Sequence, residues 1–221
     1  MSLWKQAWII AKTDLRVEGR SGEILWIVLP YGALALFLIP IATALPLKTL
    51  SDIGIGMYWV VVLLFGMFVT LRQSSQSSPQ ERDLMRLTLS DPAALFLGKS
   101  VASATLLGSF QLVMGPIAVA FFNPALPAQW WLLIPVSALL ALAMAMTGTL
   151  VGFLVAGTRS SNALAPLLAA GLAFPSLVGA SIATTKLSDS QSIVTPIALL
   201  LLVVAITAAI GMASSTLLED Q

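Results

Sequence analysis

The chain of 221 residues contains neither Cys nor His. Disulfides, thiolate chemistry and His-ligated metal centres are therefore outside what it can do by itself. The groups left for chemistry are carboxylates, Lys and Arg, and they gather in one place. Arg72 to Lys99 holds four of the eleven Lys and Arg residues and three of the ten Asp and Glu. Glu81, Arg82, Asp83, Arg86 and Asp91 are its charged centre. They form no acid–base pair aimed at a pocket, because every carboxylate of the chain lies outside the apolar runs. Gly98-Lys99-Ser100 has the ending of a phosphate-binding loop, but the glycine needed five residues earlier is Ala93. Lys99 reads instead as an interfacial anchor, its stem on apolar surface and its ammonium in water.

The elements that carry these residues follow from hydropathy. With 58% hydrophobic and 10% charged residues, the composition is that of a polytopic membrane protein, since soluble domains carry about 25% charged residues. Six runs, near 24–45, 53–71, 100–122, 130–156, 163–184 and 193–215, reach the roughly 20 residues that a crossing helix needs. None has a charge in its interior. The expected fold is all-α, one transmembrane domain over residues 1–221. The first run ends in Ala42-Thr43-Ala44, which mimics a signal-peptide cleavage site. It exceeds the h-region length of about 7–15 residues and reads as a retained span.

Nine of the eleven Lys and Arg residues fall in the N-terminal segment, the 72–99 loop and the 157–162 loop; Lys48 and Lys186 lie in the opposite connections. The positive-inside rule then places both termini and the 72–99 loop in the cytosol. Scattered at helix ends, these charges make no nucleic-acid surface. Residues 1–23 put Trp4, Trp8, Ala11 and Leu15 on one helical face, with Lys5, Lys12, Arg16 and Arg20 largely elsewhere. That is the pattern of an amphipathic helix lying in the lipid interface.

Small residues and prolines mark the spans. Gly148 and Gly152 form a GxxxG pair that suits close helix packing, within the monomer or across a dimer. Pro166, Gly171, Pro175 and Gly179 share the fifth span and predict a kinked or broken helix. Without intramembrane Asp, Glu or His there is no ion-coupling group, so energy for any transport must come from a partner. The polar interval supplies a means. Ser78-Pro79-Gln80-Glu81 is a capping box with Pro at the first helical position. Asp91-Pro92 repeats the device and starts the third span. A short cytosolic helix followed by membrane re-entry suits a coupling helix, one that fits a groove on a cytosolic motor.

Two stretches resemble the CcmB family, the haem exporter protein B of cytochrome c maturation. Lys12-Thr13-Asp14-Leu15-Arg16-Val17-Glu18-Gly19-Arg20 is similar to a K-D-L-x-x-E-x-R opening. Leu89-Ser90-Asp91-Pro92 followed by Leu95-Phe96-Leu97-Gly98-Lys99 is the second. Ser77-Ser78-Pro79 and Arg82-Asp83 depart from the family pattern, and Thr13 separates Lys12 from Asp14. The resemblance implies an ABC-2-like, non-catalytic subunit of the bacterial inner membrane. Its partners would be a cytosolic ATPase that holds the ATP and other maturation subunits, with a homodimer as one arrangement. Haem would be cargo, because without His or Cys this chain could ligate its iron only weakly, through a Met such as Met57, Met114, Met144 or Met212, and such Met residues mostly pack. A generic ABC-2 permease for a lipid, drug or polymer, and an ATP-independent scaffold or channel, share the same topology.

Overall fold

The computed structural model describes residues 2–22, 24–75, 92–124, 127, 129–155 and 161–217. It contains no strand among them. The helices are α1 (Leu3–Ser21), α2 (Leu29–Thr43), α3 (Leu47–Ser75), α4 (Pro92–Phe122), α5 (Leu133–Val155), α6 (Ser161–Ser188) and α7 (Val194–Leu217). A π-helical turn, Ile24–Val28, precedes α2, and a 3₁₀ turn, Trp130–Leu132, leads into α5. Six of these elements are long and apolar enough to cross a bilayer. The protein is a multi-pass, all-α membrane protein.

Each helix end has a local cause. α1 stops at Gly22, whose φ of 64° is the left-handed cap conformation and whose N–H donates to the Glu18 carbonyl at 2.8 Å. Gly22 is needed twice over, since a Cβ there would come within 2.7 Å of the Trp26 ring. Asn123 ends α4 in the same region at φ 44°, which its short polar side chain tolerates. α4 begins at Pro92, where a missing N–H costs nothing.

α5 is the central pillar. Two thirds of its crossing segment (67%) is buried, against 17% for the outermost spans α2 and α7. It packs on α3, α4, α6 and α7, and the reason is its run of small side chains, from Ala141 through Ala143, Ala145 and Gly148. A polar group here must be satisfied within its own helix or by a neighbouring one, as no water is available. Thr147 and Thr149 donate to the carbonyls of Ala143 and Ala145, both at 2.8 Å. The main core joins α2 through α7 around Phe110, Phe122, Leu107 and Met144. A second cluster, Ala7, Phe96, Leu97, Met146 and Leu150, seals the other end beneath α1.

Two expectations need correction. The third span does not start near residue 100; its helix runs from Pro92, and its apolar window covers Ala93–Phe122. Lys99 therefore falls within it and is buried, only 6% exposed, with no ammonium extended into water. Of the kinked or broken helix expected for the fifth span, the break does not occur. α6 is one continuous helix through Pro166 and Pro175. Next to the second proline, Ser176 Oγ donates to the Ala173 carbonyl at 2.6 Å.

Candidate functional site

The candidate site is the seam between α1 and the first turns of α4. Both helices present small residues at four-residue spacing: Ala7 and Ala11 on α1, Ala94, Gly98 and Ala102 on α4. All five are buried. Helices with such faces approach until backbones touch. At Gly98 an added Cβ would sit 2.7 Å from the Ala7 carbonyl oxygen and 2.7 Å from Ile10 Cβ. The neighbour here is backbone, so it cannot swing aside.

This seam divides the apolar face read from the sequence. Trp4 and Trp8 point outward, 71% and 64% exposed, while Ala11 of the same predicted face is fully buried under α4. The indoles are thereby left for the surroundings of the bundle, and a second strip of Gln6, Ala7, Ile10, Ala11 and Glu18 does the packing. Lys12 and Arg20 are exposed and Asp14 is half-buried. Glu18 is buried too, only 4% exposed. Polar burial is concentrated on α4 as well, where Lys99, Ser100 and Ser103 follow Gly98.

Of the charged centre of the polar interval, Glu81, Arg82, Asp83, Arg86 and Asp91 lie outside the described residues. Pro92 is the first residue of α4, so the interval runs directly into the helix that α1 clasps. Gly148 packs inside the chain, against the Thr70 side chain of α3, and Gly152 is half-buried. Gly171 and Pro175 face outward on α6, as does Pro166. Sequence reasoning passed over the small-residue ladder Ala94, Gly98, Ala102, although its spacing is as regular as that of Gly148 and Gly152.

Met114 and Met144 are buried in the main core, and Met212 sits apart on α7. No group of three or more Asp or Glu that could hold a metal occurs among the described residues.

A model of the CcmB protein family matches residues 5–218. The chain belongs to the CcmB family. The match spans α1 through α7 and both stretches that carried the resemblance. A comparison with curated proteins gave no match. CcmB membership identifies a permease-type membrane subunit in haem export for cytochrome c maturation.

Proposed function

We propose that this CcmB-family chain is the transmembrane subunit of an ABC-type complex in the bacterial inner membrane, with both termini cytosolic. A cytosolic partner hydrolyses ATP; this chain turns that cycle into a rearrangement that exports haem or releases a haem-loaded chaperone. The α1–α4 seam carries the reading. The polar interval ends where α4 begins, and α4 is held to α1 by a backbone contact at Gly98 that leaves no slack. A force applied to the interval therefore displaces α4 together with α1. α4 in turn packs on α5, the pillar that touches four other helices.

Glu81, Arg82, Asp83, Arg86, Asp91 and Pro92 are the proposed contacts with the ATPase. Haem is cargo of the complex in this reading, not a group ligated by this chain, and other maturation subunits or a second copy complete the membrane assembly. The experiment is co-purification of the ATPase with Glu81→Lys and Arg82→Glu. Both variants are expected to insert normally and lose the ATPase. Retention of the partner at wild-type level by both would overturn the proposal.

A further inference from the structure

A cavity of about 750 Å³ lies between α3, α4 and α5, with Thr184 of α6 at its back. Its size is that of a small-molecule site. Tyr58, Trp59, Phe122 and Trp130 supply aromatic walls, and its mouth opens sideways between exposed residues of α4 and α5, Leu112 and Ile134 among them. One side chain does not belong in such a place. Gln111 lines the cavity, is 5% exposed, and neither its Oε1 nor its Nε2 has a hydrogen-bond partner. An unpaired buried amide is costly and normally calls for an explanation. Nearby, the Tyr58 hydroxyl donates to the Gln111 main-chain carbonyl only at 3.5 Å, and Trp59 Nε1 to Thr184 Oγ1 at 3.4 Å. Both are long bonds that a better acceptor could replace.

Depth restricts what the occupant can be. Gln111 stands eleven residues before Phe122, about 16 Å along the helix, which is near the middle of a hydrocarbon core of about 30 Å. A phospholipid tail would bring only methylene groups to that depth and leave the amide unpaired. Among the described residues no charged side chain and no Met lines the cavity, so a haem would find no counter-ion for its carboxylates and, apart from Tyr58, no axial ligand. We infer that the cavity binds a neutral, lipid-soluble molecule whose ring carries carbonyl or hydroxyl groups, of the quinone or phenol class, entering sideways from the bilayer. Both amide atoms of Gln111 are covered by protein here; a turn of the side chain towards the cavity lets the amide donate to a ring carbonyl or accept from a ring hydroxyl, and the ring lies against the aromatic walls. This site is separate from the α1–α4 seam and does not depend on coupling to an ATPase.

The test uses the full chain in nanodiscs of palmitoyl-oleoyl phosphatidylcholine, titrated with decylubiquinone and read by tryptophan fluorescence. Trp59 and Trp130 line the cavity, so binding should give a saturable quench above the linear partitioning background. Gly108 and Gly115 face open space, with nothing within 4 Å of an added Cβ. Gly115→Leu and Gly108→Leu are therefore expected to fill the cavity and abolish the saturable part. Gln111→Leu is expected to weaken binding at least tenfold, and it decides the matter by itself should both glycine variants fail to fold. An absent saturable quench in the wild type, or affinity unchanged by Gln111→Leu, overturns the proposal. So does quenching by brominated-acyl phosphatidylcholine that Gly115→Leu removes and decylubiquinone does not displace, because the occupant is then an acyl chain.

Discussion

Gly98 and Gly171 are both helical glycines in crossing segments, yet they ought to respond oppositely to the same methyl group. At Gly98 the methyl meets the Ala7 carbonyl at 2.7 Å. Gly98→Ala should therefore displace α1 and cost about 1–3 kcal/mol, the usual range for overpacking. At Gly171 nothing lies within 4 Å, and Gly171→Ala should stabilise by about 0.5–1 kcal/mol through backbone entropy. Thermal unfolding of the two variants in one detergent would show melting temperatures moving in opposite directions. A shared direction would mean that the α1–α4 contact is looser than described. Lys99 and Glu18 teach a related lesson. Their charge alone suggested surface positions, and only the neighbouring helix decides that both are buried.

At the scale of elements, the orientation of α1 depends on one residue. Gly22 holds φ at 64° and leaves room for Trp26, so the chain can turn from α1 into the π-helical segment and α2. Gly22→Ala is expected to cost about 1–2 kcal/mol from the left-handed conformation, and further strain from the Trp26 ring. The expected readout is faster proteolysis of the N-terminal segment in proteoliposomes, with α2–α7 still protected. Protection equal to wild type would show that α1 is held by the α4 seam alone. The helices themselves were largely legible, because 20-residue apolar runs have few alternatives in a chain of this composition. Their ends were less so. The start of α4 was misplaced because Lys99 looked like a boundary, whereas a buried cation under a neighbouring helix is invisible to a hydropathy window. The prolines of α6 left a kink or a break open, and the helix runs through both without a break.

For the whole molecule, orientation is a claim that the Cys-free background makes easy to test. A single Cys at the exposed position Gln191, in the α6–α7 connection, should react with a membrane-impermeant maleimide added to spheroplasts. A single Cys at Thr13, exposed on α1, should react only after lysis. The reverse pattern would invert the topology and place the polar interval away from any cytosolic ATPase. Surface burial at this scale also has a direction. α2 and α7 are mostly uncovered, and their exposed apolar side chains, Phe37, Ile41, Leu202 and Ile206 among them, are normal against hydrocarbon.

What the sequence by itself determined is the class: six apolar runs, a polar interval with its capping pattern, and two short stretches resembling CcmB. These are one-dimensional properties, fixed by composition and by residues near one another in the chain. The tertiary structure alone decided which small residues meet, and so that the contact of α1 is Gly98 of α4 and that Gly148 serves Thr70 within the chain. It also decided that Gln111, an unremarkable polar residue in an apolar run, lines a cavity without a partner. Both depend on separate helices coming together, and helix-packing partners leave only a weak trace along the chain, because every span offers an apolar face and nearly every span offers small residues.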